Sequence, residues 1–272
     1  LYSEVASTAQ RSNAPSVGFS RQSAKQMLAK LILETFMKII PVIDLLDGVV
    51  VHAKKGDRKN YQPIQSLLTP SSKPLEIVAA LLEYYPFQQL YIADLNAIQK
   101  LGDDNKNFQV IETISQHYPN IQLWIDAGIS SSEELGIWRN RNFNVILGSE
   151  NFSDLENYLN IKKRLNSNFV LSLDFMPNGY QGPLELLDDT QHWPKDVILM
   201  SLAHVGANQG ANMELLEKFK QHAAGFNLFA AGGIRSIDDL TALKQAGIHG
   251  VLIASTLHQK RLSPAEIKSL LQ

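Results

Sequence analysis

Cysteine is absent from all 272 residues, which excludes disulfides, thiolate nucleophiles and cysteine-ligated metal. An excess of either charge is missing too. Lys and Arg number 25 against 27 Asp and Glu, a formal net charge of −2, so the chain carries no basic footprint for nucleic acid or an anionic membrane face. Long apolar runs are lacking, since Lys and Glu interrupt every stretch that approaches bilayer length. No histidine pair has metal-ligand spacing with a carboxylate beside it, so neither metal nor cofactor is expected. A cytoplasmic protein fits these absences.

Residues 1–36 differ from the rest of the chain. They are rich in Ser, Ala, Gln and Asn and have no sustained hydrophobic period, although 23–36 has the pattern of a short amphipathic helix. Few acids and several Lys and Arg resemble an organelle transit peptide. The simpler expectation is an extension foreign to the domain, disordered or artefactual, with the domain spanning 37–272. A first residue of Leu1 rather than Met favours a fragment or a misplaced start.

From Met37 onward, short apolar runs alternate with helical patterns. The runs are 39–44 (IIPVID), 89–94, 122–126, 144–148, 169–174, 197–201, 227–231 and 250–254. Each is continuous rather than alternating, as in parallel strands buried on both faces. Helices are predicted near 75–85, 107–117, 132–140, 153–165, 212–222, 236–246 and 263–271. Asp154 and Ser236 stand where N-caps are wanted, and Pro264 suits a first helical position.

The chain also repeats itself. WIDAGISS at 124–131 with VILGSEN at 145–151 is matched by FAAGGIRS at 229–236 with VLIASTL at 251–257. Gly128 and Gly233 lie 105 residues apart, Gly148 and Ala254 lie 106 apart, and Asp94 and Ser201 lie 107 apart. Eight buried strands in two duplicated four-strand halves predict a single α/β domain, a (β/α)8 TIM barrel, over a doubly wound sheet. The interval from Asp44 to Asp94 exceeds that from Asp174 to Ser201 by 23 residues. The excess is a hairpin-like, basic loop after the first strand, a candidate lid.

Active sites of such barrels collect at the C-terminal ends of the strands. Asp44 ends the first predicted strand and Asp174 the fifth, which face each other in an eight-strand ring. Opposed carboxylates in unequal environments can divide acid and base roles. A single strand-end Asp is more often a backbone cap or a local ion partner. Equivalent positions in both repeats turn the reading toward catalysis. Gly232, Gly233, Ala254 and Ser255 form small-residue turns after the seventh and eighth strands, suited to cradling phosphate with backbone N–H groups. Gly128, Gly148 and Ser149 are their first-half counterparts. His52, Lys54, Arg58, Asp94, Ser201, His204 and Arg235 are weaker substrate-binding candidates. The basic loop around Lys54 and Arg58 reads equally as a solvated surface. No lysine ends a strand, which disfavours Schiff-base chemistry. Trp124, Trp138 and Trp193 are expected to be packing residues.

The segments MKIIPVIDLLDGVVVHAKKGD, YIADLNAI followed by Asn107, LSLDFMPNG and AAGGIRSIDDLTALKQAGIHGVLIASTLH resemble a known family. It is that of the histidine-pathway ribotide isomerase and its sister, the cyclase subunit of imidazole glycerol phosphate synthase. The resemblance covers 37–272. It implies Asp44 as general base and Asp174 as general acid of a cofactor-free Amadori rearrangement, on a substrate with a phosphate at each end. The match is incomplete. Ser130 replaces an arginine that engages substrate, Met200–Gly206 lacks the Thr-Asp and Arg-Asp of the isomerase's sixth strand, and Ala254 replaces a glycine. The loop HAKKGDRKNYQPI is closer to a related branch found in methanogens and one-carbon-metabolising bacteria. The expected activity is a phosphosugar or ribotide isomerase with a diverged substrate, held by one firm phosphate contact. The alternatives are a non-catalytic phosphometabolite-binding barrel, and a lyase or synthase in pterin or furan cofactor synthesis.

Overall fold

Eight parallel strands close into a ring in the computed structural model, which describes residues 37–53, 57–102, 106–138, 143–165, 169–202 and 210–271. The ring strands are β1 (Lys38–Leu46), β3 (Gln89–Asp94), β4 (Gln122–Asp126), β5 (Phe143–Gly148), β6 (Phe169–Met176), β8 (Asp196–Ser201), β9 (Asn227–Ala231) and β10 (Gly250–Ile253). Each pairs with the next, and β10 returns to β1 through Lys38 opposite Gly250. This is a (β/α)8 barrel. The N-terminal stretch 1–36 lies outside the described residues.

Helices α1 (Pro74–Tyr84), α2 (Leu95–Ile98), α3 (Lys106–His117), α4 (Ser132–Trp138), α5 (Leu155–Lys162), α6 (Glu185–Asp188), α7 (Met213–Lys220), α8 (Ile237–Gln245), α9 (Ser255–His258) and α10 (Pro264–Leu270) follow the strands. Their starts are set locally. Asp154 accepts from the Asn157 N–H, Ser236 accepts from the Asp239 N–H, and Ser263 with Glu266 forms a capping box before Pro264. The four-residue helices α2, α6 and α9 are too short for a helical period to reveal in sequence. Among the described residues no helix is long and apolar enough to cross a membrane.

The duplication is visible in the register. Tyr91 opposes Val42 and Trp124 in the first half, as Ile198 opposes Ser172 and Phe229 in the second. Trp124 and Phe229, at equivalent positions, meet edge to face inside the barrel with centroids 4.9 Å apart. Both halves also open with an antiparallel hairpin. Strand β2 (Val49–Val51) places Val51 opposite Asp44, and β7 (Gly179–Gln181) places Gln181 opposite Asp174. The first hairpin turns at Asp47 and Gly48, both left-handed at φ 50° and 82°, as a two-residue I′-type turn requires.

A buried amide fastens that turn to the barrel wall. The Asn107 side chain accepts from the Gly48 N–H (2.9 Å) and donates to Asp94 (2.7 Å) and Asn96 (2.8 Å). Asn96 in turn accepts from the Asp47 N–H and donates to the Asp47 carboxylate. Every member is satisfied, so deletion of one strands the others. Asn107→Ala is expected to destabilise the fold by about 2–4 kcal/mol, from several broken buried hydrogen bonds. Urea unfolding checks this, and a loss under about 0.5 kcal/mol, the range of ordinary surface substitutions, would contradict it.

Candidate active site

Three strand ends deliver carboxylates to one cleft at the C-terminal mouth of the barrel. Asp44 of β1, Asp126 of β4 and Asp174 of β6 line it with Arg58, Tyr61, Tyr91 and Glu150. Ala231, Gly232, Gly233, Ala254 and Ser255, from the ends of β9 and β10 and the turns after them, line it as well. Strands β1 and β6 stand four apart in the ring, as do β4 and β9, so each pair faces across the mouth.

The hydrogen bonds differ from one carboxylate to the next. Asp174 accepts from the Ser172 hydroxyl (2.7 Å) and from the Glu150 N–H (3.2 Å), and its own N–H donates to Ser149 Oγ (2.9 Å). Asp126 accepts from the Tyr91 hydroxyl (3.0 Å) and the Gly128 N–H (3.1 Å). Arg58 crosses from the long first loop to Glu150 beyond β5, at 2.5 Å, with both side chains mostly shielded.

Burial dominates all three carboxylates, because the charged form loses its hydration. It pushes Asp174 up to about 8, with the Glu150 charge adding to the rise and the Ser172 hydroxyl opposing it. It pushes Asp44 up to about 7, where the Arg58 guanidinium pulls against it. Asp126 is raised to about 6, burial again leading and the Gly128 N–H opposing. The Tyr91 phenol is held well above its ordinary value by burial and then by Asp126.

The residues singled out by sequence fall into distinct places. Asp44, Asp174, Arg58, Gly232, Gly233, Ala254 and Ser255 come together in the cleft. His52 stands beside it, its Nε2 3.0 Å from Ser255 Oγ. Gly128, Gly148 and Ser149 do not join the lining. A Cβ on Gly128 would meet Ile98 Cα at 2.5 Å, so that turn packs against α2. Ser149 is fully buried and donates to the Gln181 carbonyl (2.6 Å), and a Cβ on Gly148 would meet the Asn151 amide at 2.9 Å. Asp94 caps α2 and holds Asn107. Ser201 is buried at the end of β8, and Arg235 is paired with Asp239 at 3.0 Å. Lys54 and His204 lie outside the described residues. Trp124, Trp138 and Trp193 are buried.

Sequence reasoning passed over Asp126, Tyr91 and Glu150. Asp126 ends WID as Asp44 ends VID, a signal hidden by the glycine motif that follows it. Nothing in spacing announces that Arg58 and Glu150, 92 residues apart, will meet.

A family model described as histidine biosynthesis protein matches residues 38–263. The chain belongs to that family. A relative from Methanocaldococcus jannaschii, described only as an uncharacterised protein, is 33% identical over 237 residues, covering 85% of this chain and 97% of its own. The 1-(5-phosphoribosyl)-5-((5-phosphoribosylamino)methylideneamino) imidazole-4-carboxamide isomerase of Nitrosopumilus maritimus is 29% identical over 248 residues, covering 86% and 99%. The enzyme of the same name from Elusimicrobium minutum is 26% identical over 250 residues, covering 86% and 100%. Within the histidine biosynthesis family, this chain is thus more similar to the uncharacterised archaeal protein than to either of these isomerases.

The raised carboxylates carry a stability signature. Unfolded, each ionises near pH 4, whereas folded they ionise from about 6 to about 8. Between those limits the folded state binds more protons, so this contribution to stability is full below pH 4 and is lost as pH rises to 8. Asp174→Asn is expected to flatten the fall in Tm between pH 5 and pH 8.5. An unchanged slope in the variant would show that Asp174 ionises normally.

Proposed function

We propose that the protein is an acid–base isomerase of a phosphorylated sugar or ribotide, working by an Amadori-type aldose–ketose rearrangement. The observation that carries this reading is the pairing of Asp44 and Asp174 across one cleft in unequal environments. Relatives named as isomerases in the same family support the reaction class.

The two carboxylates suit different roles. Asp174, held at about 8, keeps its proton near neutral pH and serves as the general acid. It protonates the ring oxygen of an aminoaldose, the C1–O bond breaks, and the ring opens to an iminium. Asp44, at about 7 and partly ionised near neutral pH, serves as the base. It removes the proton from C2, and the electron pair moves into the C1–C2 bond to neutralise the iminium. Tautomerisation of the resulting enaminol gives the aminoketose. Atoms balance without a cofactor. The substrate phosphate rests on the turns after β9 and β10, where Gly232, Gly233 and Ser255 give close access to backbone.

Purified full-length protein is expected to turn over the histidine-pathway ribotide or its monophosphate analogue. Asp44→Asn and Asp174→Asn are each expected to lower kcat by about 100-fold or more, the usual worth of a positioned acid or base. No turnover of either compound, or turnover indifferent to Asp44→Asn, would contradict the proposal. The pH profile of kcat/KM is expected to peak between pH 7 and 8, rising with Asp44 ionisation and falling as Asp174 loses its proton. Glu150→Gln removes a charge that raises Asp174, so the alkaline limb is expected to move to lower pH. A limb that stays in place would remove Asp174 as the acid.

A further inference from the structure

We infer that Asp126 is a specificity-determining residue: its carboxylate fills the anion cradle of the first half-barrel and restricts the protein to substrates with a single phosphate. The inference rests on the phosphosugar reading above and narrows its substrate class. That class is a monophosphate whose other end is uncharged or cationic.

The two halves can be compared position by position through the strand register. Asp126 opposes Ala93 as Ala231 opposes Met200, so Asp126 and Ala231 are equivalent. The same register makes Tyr91 equivalent to Ile198. In the second half, therefore, both positions are apolar, and Ala231 has no side-chain acceptor to offer the N–H groups of the turn beyond it. Ala231, Gly232 and Gly233 line the cleft there. In the first half the Gly128 N–H, counterpart of the Gly233 N–H, already donates to Asp126 at 3.1 Å. The Tyr91 hydroxyl donates to the other oxygen of the same carboxylate at 3.0 Å. Asp126 thus stands where a ligand anion would take the turn's N–H, and Tyr91 steadies it there.

Space and charge agree. The backbone of Gly128 is packed against Ile98, which fixes its N–H toward Asp126, so the Asp126 side chain decides whether that donor is free. Asp126 lines the cleft, and whereas Glu150 is paired with Arg58 at 2.5 Å, the Asp126 carboxylate is hydrogen-bonded, among the described residues, only by neutral donors, so an incoming phosphate meets its charge at close range. Asp126 is raised only to about 6, so it is ionised at pH 8.

Calorimetric titration of the full-length protein at pH 8 with ribulose 5-phosphate and ribulose 1,5-bisphosphate tests this. The wild type is expected to bind the monophosphate about tenfold more tightly or better. Asp126→Ala, which copies the second half, and Asp126→Asn, which keeps the shape, are each expected to shrink that ratio by about tenfold. Equal or tighter binding of the bisphosphate by the wild type, or a ratio unmoved in both variants, would overturn the inference and leave the phosphosugar reading standing. Failure of the wild type to bind either compound would remove the phosphosugar reading, and the inference with it.

Discussion

An ion pair across the barrel mouth shapes the electrostatics of the cleft beneath it. Arg58 and Glu150 meet at 2.5 Å, yet they act on the two opposed carboxylates in opposite senses. Arg58 favours the ionised form of Asp44, and Glu150 disfavours the ionised form of Asp174. Burial, with a smaller push from the Asp126 charge, raises both acids. The pair pulls them apart, with Asp44 near neutrality and Asp174 above it, the difference on which the proposed base and acid roles rest. The partners are 92 residues apart and reach each other only because the loop after β2 and the end of β5 share one rim.

The scaffold is symmetric in its strands and hairpins and asymmetric in the cleft at the mouth. Each half begins with a strand and an antiparallel hairpin, so Asp44 and Asp174 occupy the same position in the same local structure. Trp124 and Phe229 meet across the interior as matched layers of one repeat. Divergence appears beside that matched layer and one step nearer the mouth, where the counterpart of Tyr91 is Ile198 and that of Asp126 is Ala231. The relatives named as isomerases act, by that name, on a compound with two phosphoribosyl groups. In this chain the cleft is lined by Asp44, Asp126, Asp174 and Glu150 together with Arg58.

Much of this was legible in sequence because parallel barrel strands are continuous apolar runs. IIPVID and VILMS both lie in ring strands. The repeat carried the topology, and the strand-end position of Asp44 and Asp174 carried the opposed pair. The first-half turns were harder to read. Gly128 and Gly148 look like a phosphate cradle in sequence, but Ile98 and Asn151 pack against them and Asp126 takes the Gly128 N–H. Such occupancy depends on contacts between elements, which no local pattern encodes. Tyr91 was hidden for the same reason, since it reads as one more apolar strand residue until its hydroxyl is seen on Asp126.

The most direct test is the ionisation of the two carboxylates themselves. Carbon-13 NMR titration of labelled aspartate side chains, assigned with Asp44→Asn and Asp174→Asn, reads each group separately. Asp44 is expected to titrate near 7 and Asp174 near 8, in that order. Titration of both near pH 4, the ordinary range of an exposed aspartate, would contradict the division of acid and base on which the account stands.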